Sequence, residues 1–414
     1  MPTFPLLFSL AALGGPALEA FPIHLVILTV LLNRYVLGAF LKRIRGPYVD
    51  PVQPGLEPTV AVIVPLYNEG QGIRATIQSL LGLDYPKEKL RIVIVDDCST
   101  DDSYLVARQA AEGLPHVSVL QLSKNQGKRR AIIHGTRTTD AEIVVTVDSD
   151  VLVDPQAIRE LVCRFSEPQI AAVGGRTYVK NRNDNWLTRM IEVKFYFAQE
   201  WLKDLERSFR SVLCLSGCLT AYRRSVLIEL EPILENRNVL GVPIKYGEDR
   251  FLCRQIVKAG YQTIFTTKAF CFTSAPSNLR GYFSQQLRWR RSNLIDLFCG
   301  LSHAWKLHPV VALHYVSLLA LLLAYPVKVV DDIVNDRFLS LVALHFLLIS
   351  ILCCIYWFGT RELSDDRKVG PYWFLYMAIL MPVSYLILTP LALFTLDSGS
   401  WETRGHKAFG RSTT

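Results

Sequence analysis

Short β-branched runs alternate with amphipathic stretches between about Thr59 and Ala275, and each run stops at a polar loop. Val60–Val64 is the first. It ends in Pro65-Leu66-Tyr67-Asn68-Glu69-Gly70, which opens a helical stretch from Ile73 to Leu81. Arg91–Val95 is the second and ends in Asp96-Asp97-Cys98-Ser99. A third, around Val117–Leu120, leads to Lys124-Asn125-Gln126-Gly127-Lys128-Arg129, with a helix from Arg130. Ile143–Val147 is the fourth and stops at Asp148-Ser149-Asp150. Apolar runs of this length suit strands buried on both faces. Their alternation with helices predicts an α/β domain with a doubly wound, mostly parallel, nucleotide-binding sheet.

The flanks follow a different pattern. Phe4–Leu18 is apolar but short, and Gly14, Gly15 and Pro16 interrupt it. Phe21–Leu41 is long enough to span a bilayer, although Asn33 and Arg34 fall inside it. Lys42, Arg43 and Arg45 follow at once and hold the next segment on the cytoplasmic side. No small-residue cleavage site follows a basic start, so residues 1–47 read as an anchor. Tyr48–Pro58 carries three prolines and reads as a linker. Beyond the domain, Val310–Val330 and Phe338–Phe358 are two spans joined by an acidic loop from Asp331 to Asp336. Tyr372–Leu396 is a third apolar stretch, interrupted by Pro382 and Pro390. A third crossing would carry the basic tail, with Arg404, Lys407 and Arg411, away from the cytoplasm. The expectation is therefore that Pro382 breaks this stretch into two arms that enter and return.

Composition agrees with a membrane protein. Half of the 414 residues are hydrophobic, and mean hydropathy is +0.24. Lys and Arg number 45 against 37 Asp and Glu, a net charge of +8. No basic tract with interleaved aromatics is present, which argues against a nucleic-acid partner. The nine cysteines show no CxxC spacing, so zinc is not expected and reduced thiols facing the cytoplasm are. Absence of GxGxxG and of a Walker lysine motif argues against dinucleotide and ATP folds.

The polar loops carry the candidate chemistry. Asp148 and Asp150, at the carboxyl end of a buried strand, suit a hard cation, Mg²⁺ or Mn²⁺, shared with a phosphate. Asp96 and Asp97 can accept hydrogen bonds from a base and a ribose; an Asx turn is the alternative. Lys128 and Arg129 beside Gly127 suit phosphate oxygens, or else a solvated helix start. Gly247-Glu248-Asp249-Arg250 begins an amphipathic helix, where Asp249 can serve as a general base and Glu248 is the next candidate. Arg288 can pair with a diphosphate and Trp289 can stack on a sugar ring, unless Trp289 is an interfacial anchor.

Taken in order, Asp96-Asp97, Asp148-Ser149-Asp150, Gly247-Glu248-Asp249-Arg250 and Gln285-Gln286-Leu287-Arg288-Trp289 resemble the processive membrane glycosyltransferases of family 2 over roughly Thr59–Arg404. Asn185-Trp186-Leu187-Thr188-Arg189, Tyr222-Arg223-Arg224 and Trp401-Glu402-Thr403-Arg404 are similar to the branch holding bacterial hyaluronan synthases and rhizobial chitin-oligosaccharide synthases. The resemblance implies a cytoplasmic GT-A-type domain over 59–275, set between an N-terminal anchor and C-terminal membrane helices. It further implies interfacial helices over 276–308, a channel over 309–396 and a cytoplasmic gating tail over 397–414. It implies nucleotide-sugar binding by Tyr67, Asn68, Glu69, Asp96, Asp97, Lys128 and Asp148. Asp150 would carry most of the metal contact and Asp249 would be the base. Ser216, Gly217, Gln285, Arg288, Trp289, Trp401 and Arg404 would hold the acceptor and the diphosphate. The implied reaction is inverting, processive transfer from UDP-GlcNAc, UDP-GlcA or both to a β-linked polysaccharide exported through the plasma membrane. The alternatives are a chitin-oligosaccharide synthase and a lipid-directed transferase of a single sugar. Two departures bear on the sugar. Leu215-Ser216-Gly217-Cys218 stands where hyaluronan synthases read CSGP and the chitin-oligosaccharide type reads CCGP, so Ser216 leans towards hyaluronan. Glu402 replaces the glycine of the WGTR tail motif.

Overall fold

The computed structural model describes Phe40, Ile44 and residues 48–239, 241–244 and 246–396. The anchor expected over residues 1–47, apart from Phe40 and Ile44, and the tail with Trp401 and Arg404 lie outside the described residues. In chain order the soluble elements are β1 (Val60–Leu66), α1 (Gly72–Leu81), β2 (Leu90–Asp96), α2 (Ser103–Ala111), β3 (Val117–Gln121), α3 (Lys128–Arg137), β4 (Ile143–Thr146), β5 (Leu152–Val153), α4 (Ala157–Val162) and β6 (Ile170–Val179). They continue as α5 (Trp186–Tyr196), α6 (Leu202–Arg207), β7 (Thr220–Arg223), α7 (Arg224–Glu235), β8 (Asn238–Val239), β9 (Val242–Pro243), α8 (Glu248–Lys258) and β10 (Gln262–Thr273). Four helices follow: α9 (Leu279–Ala304), α10 (Pro309–Val334), α11 (Phe338–Thr360) and α12 (Met377–Phe394).

Eight strands form one sheet in the order β3-β2-β1-β4-β7-β6-β10-β5. β3, β2, β1 and β4 are mutually parallel, as the buried runs predict. β7 is antiparallel to both β4 and β6, and joins this half to the parallel pair β6 and β10. The fold is a GT-A-like α/β domain with a mostly parallel sheet. Successive residues of β1 face opposite layers. Val60, Val62 and Val64 pack with Ile73, Ile77 and Leu80 on one side, and Ile63 packs with Val95 and Ile133 on the other. Burying one such side chain is worth about 1.5–3 kcal/mol, so this strand pattern fixes both layers at once. The layers close tightly around α3. A Cβ on Gly135 would come within 2.8 Å of the Ile63 side chain. The parallel register Leu66↔Asp96 aligns the loops after β1 and β2, and Asp97 N–H donates to Leu66 O at 2.8 Å.

Sequence patterning did not separate the two longest strands, β6 and β10, from their surroundings. β6 is buried throughout its 10 residues, and β10 changes register between Phe265 and Phe270. Between α5 and α6, Phe197–Trp201 form a π-helical turn. Fully buried Arg176 reaches Glu192 at 3.2 Å and Glu200 at 2.6 Å across this turn. Asn185 caps α5 by accepting from Leu187 N–H and Thr188 N–H. The NWLTR stretch is thus a capping box, which gives that sequence signature a structural cause.

Three described stretches, Pro309–Val334, Phe338–Thr360 and Asp365–Phe394, are long and apolar enough to cross a membrane. α10 leaves the domain where Phe209 stacks on His308, with ring centroids 4.0 Å apart. α11 returns to it where Tyr356 meets Tyr196 edge-on at 5.1 Å. α12 departs from expectation. It runs unbroken through Pro382 and Pro390 and does not divide into two arms. Each proline removes one backbone donor, but Arg290 of α9 bonds carbonyl and hydroxyl groups of the same helix. Both ends of α12 nevertheless touch α9, and its C-terminal end also meets the loop before α8. Tyr282 Oη donates to Met377 Sδ at 3.9 Å at its start. At its end Arg291 Nε donates to Thr395 Oγ1 at 3.0 Å, and Tyr246 Oη donates to Leu396 O at 2.6 Å.

Candidate active site

The carboxyl ends of β1 and β4 and the start of α8 converge. α8 begins at Gly247, whose φ of +69° is left-handed, and a Cβ there would lie 2.0 Å from Ser292 Oγ of α9. Only glycine satisfies both demands. Arg237 holds the turn by donating to Tyr246 O at 2.6 Å and Gly247 O at 3.0 Å. Its other nitrogen reaches the buried Asp296 of α9 at 3.0 Å. The first turn of α8 therefore sits at a fixed offset from α9.

That turn presents Glu248 and Asp249 to Lys128. Lys128 Nζ lies 2.7 Å from Asp148, 3.0 Å from Glu248 and 4.0 Å from Asp249. Gly217 N–H donates to Asp249 Oδ2 at 2.9 Å. A Cβ on Gly217 would lie 2.6 Å from both Asp249 Oδ1 and Lys128 Nζ, so the carboxylate and the ammonium close on a bare backbone. Burial, helped by Glu248 and Asp148, pushes the Asp249 carboxyl up to about 7 against the pull of Lys128. Burial also works to raise Glu248, but Lys128 and its hydrogen bonds outweigh it and bring that carboxyl down to about 2. Neighbouring acids with opposite shifts are a familiar signature of divided roles. Asp249 is thereby marked as the group that can take a proton near neutrality, and Glu248 as a fixed charge.

One cavity of about 1050 Å³ collects most of the residues singled out from the sequence. Glu69, Lys128, Asp148, Asp150, Ser216, Gly217, Asp249, Gln285, Arg288 and Trp289 all line it. It continues between α5 and α9 to Leu322, Ile349 and Met381 of the apolar helices. Four expected residues lie outside its lining. Asp96 is fully buried and accepts from Ser99 Oγ at 2.5 Å and Gln121 Nε2 at 3.0 Å. Asp97 accepts from Gln126 and Gly127 N–H, each at 2.7 Å, and burial raises its carboxyl. Asn68, at a positive φ of 47°, accepts from Thr100 N–H at 2.9 Å. These three bind loops together, and Tyr67 sits in the same loop. Asp148 and Asp150 flank Ser149, whose hydroxyl donates to Glu69 at 3.2 Å. No group of three or more His, Cys, Asp or Glu suited to a metal occurs among the described residues. Two carboxylates still fit Mg²⁺ or Mn²⁺, which complete their shells with water and substrate phosphates.

The sequence reading missed several lining residues. Cys218 lies 3.6 Å from Asp148, and burial holds its thiol well above the usual range. Lys194 of α5 and Glu206 and Lys203 of α6 also face the cavity. Lys194, Lys203 and Glu206 lie between the motifs and reach the site only through tertiary folding, so no local spacing signals them.

A family model described as "Glycosyltransferase like family 2" matches residues 58–292. Among curated proteins, an N-acetylglucosaminyltransferase of Rhizobium meliloti (strain 1021) is 32% identical over 397 residues, 93% of this chain and 90% of that protein. An N-acetylglucosaminyltransferase of Bradyrhizobium diazoefficiens is 32% identical over 403 residues, 89% of this chain and 78% of its own length. Among solved structures, the mannosyltransferase PcManGT from Pyrobaculum calidifontis, in complex with GDP-Man and Mn²⁺, superposes with a TM-score of 0.60 at 21% identity. The match covers 90% of this chain and 99% of that one, and it shows the shared fold.

Proposed function

This chain belongs to the family 2 glycosyltransferases, and from that premise we propose that it is a membrane N-acetylglucosaminyltransferase. It takes UDP-GlcNAc as donor and extends a β-linked oligosaccharide with inversion. The observation that carries this reading is Asp249, fastened by Gly217 N–H beside Lys128, at one end of a cavity that continues past Trp289 into apolar helices. The curated relatives named for N-acetylglucosaminyl transfer support this sugar over the hyaluronan reading suggested by Ser216.

In the reaction, the acceptor hydroxyl attacks the anomeric carbon of the α-linked donor while Asp249 takes its proton. The bond to UDP breaks as the β linkage forms, and UDP leaves carrying the electron pair. Arg288 offers positive charge to the departing diphosphate, and Trp289 offers a ring face to the acceptor sugar. Lys128 neutralises the carboxylates around the base. Asp148 and Asp150 would hold Mg²⁺ or Mn²⁺, which would supply further positive charge against the diphosphate. The apolar helices hold the enzyme in the bilayer with the catalytic domain in the cytoplasm, where UDP-sugars are made. A copolymer that also takes UDP-GlcA is the second reading, and cationic residues deeper in the cavity favour it. The test offers membranes each UDP-sugar, alone and in pairs, and identifies the product by mass. A GlcNAc ladder from UDP-GlcNAc alone supports the first reading. A product that requires both donors replaces it with the second, and transfer of one sugar to lipid removes both.

A further inference from the structure

Lys194 is a lysine the reaction does not use. It projects from α5 into the cavity described above, opposite α9. Its Nζ donates to Gln286 Oε1 and, at 3.3 Å, to Tyr282 Oη, and it lies 5.1 Å from the Tyr282 ring. Arg290 extends from the next turn of α9. It donates to Thr389 Oγ1 at 2.6 Å and to Ser384 of α12, and lies 4.0 Å over the Tyr385 ring. Among the described residues, neither cation is paired with a carboxylate. Their sequence neighbours Phe195 and Trp289 face each other with ring centroids 6.2 Å apart. Around Arg288 the wall thus offers an aromatic pair, two cations and the apolar helices.

Placing a cation here opposes stability. Burial, with Arg290 adding to it, brings the Lys194 ammonium down to about 7. A buried charge without a counter-ion is normally replaced by an apolar residue of similar length at a gain in stability. A side chain that costs stability and lines a ligand path points to work on the ligand. The chemistry limits what that ligand offers. Ammonium and guanidinium groups only donate, so they match oxygens that only accept. On a glycan those are the carbonyl of an N-acetyl group and the carboxylate of a uronate. Hydroxyls both give and take and gain less here.

We propose that Lys194, with Arg290 beside it, forms a product-side subsite that binds an accepting oxygen of a sugar already added, and so sets how long the glycan stays on the enzyme. This rests on the chain-extending reading given above. The test uses the full chain in lipid nanodiscs, as wild type, Lys194→Met and Lys194→Arg. Thermal midpoints are recorded, and product lengths are compared by mass at equal amounts of UDP released. Lys194→Met should melt at or above the wild-type temperature. Its mean product length should fall by about twofold or more, because losing a charge-assisted hydrogen bond acts mainly on the off-rate. Lys194→Arg, which keeps the charge, should restore most of the length. A shortened ladder with UDP-GlcNAc alone assigns the N-acetyl carbonyl. Shortening only when UDP-GlcA is also incorporated assigns the carboxylate. An unchanged ladder in Lys194→Met overturns the subsite and leaves the chain-extending reading standing. So does a lowered midpoint, which would make the lysine structural. A wild type that transfers a single sugar overturns both.

Discussion

The two ends of the cavity treat charge in opposite ways. At the donor end, Lys128 sits among Asp148, Glu248 and Asp249, so one cation answers three carboxylates within 4.0 Å. At the membrane end, Lys194 and Arg290 meet only neutral oxygens and rings. The first arrangement is dense, carries both signs of charge and is set by hydrogen bonds. The second leaves its charge uncompensated by the protein. Under the proposed function, the difference separates a site that moves a proton and holds a diphosphate from a path that grips a neutral or anionic chain.

The strongest way to break this contrast is to remove the donor-end acids. Asp150→Asn should abolish transfer in a protein that still folds and inserts, and EDTA should do so reversibly in the wild type, restored by Mn²⁺ or Mg²⁺. Full turnover in excess chelator would remove the metal from the donor end. Asp249→Asn should lower turnover by about 10²–10⁴-fold while UDP binding, followed by calorimetry, persists. Near-normal turnover would transfer the role of base to Glu248. Gly217→Ala keeps every charged group but inserts a methyl 2.6 Å from Asp249 and Lys128. A displacement of about 1 Å can cost about 10²-fold, so kcat should fall on that scale with little change in the donor KM.

A gentler probe is pH. The base works unprotonated, and the Asp249 carboxyl is held up to about 7. Activity should therefore rise with pH through that value and flatten above it, falling about tenfold per unit on the acid side. A profile already flat at pH 5 would mean that bound substrate resets the carboxylate. Smallest of all, Tyr246→Phe removes one bond between the catalytic loop and Leu396 and should cost about 1 kcal/mol in denaturant unfolding. No change would show that this contact is idle.

Much of the donor end was legible in the sequence, because strand ends and motif loops are local. Ile143–Val147 announced both a strand and the position of Asp148 and Asp150 beyond it, and β4 forms there. The composition of the Gly247-Glu248-Asp249 turn announced a helix start. What stayed hidden depends on distant partners. Asp96 and Asp97 read as ligand groups, and the structure adds a second task the sequence did not show, accepting from Ser99, Gln121, Gln126 and Gly127. Those bonds form only once the loops after β2 and β3 fold beside each other. Lys194 lies in an ordinary amphipathic helix, and nothing nearby in sequence foretells that its partners come from α9, 88 and 92 residues away. Pro382 suggested a break because the count of local donors ignores Arg290, which reaches α12 from nearly a hundred residues upstream.

α12 joins a membrane-like composition to polar tethers at both ends. Within Asp365–Phe394 an 18-residue window reaches a mean hydropathy of 2.0, enough for an insertion machine to treat it as a crossing. Yet Met377 is held by Tyr282 of α9, and Leu396 by Tyr246 of the loop before α8. Bonds from Tyr246, Arg290 and Arg291 form only once α9 and the loop before α8 are in place, so the seating of α12 depends on the folding of both. Tyr246, Arg290 and Arg291 thus tie an apolar helix to the walls of the cavity that carries the candidate chemistry.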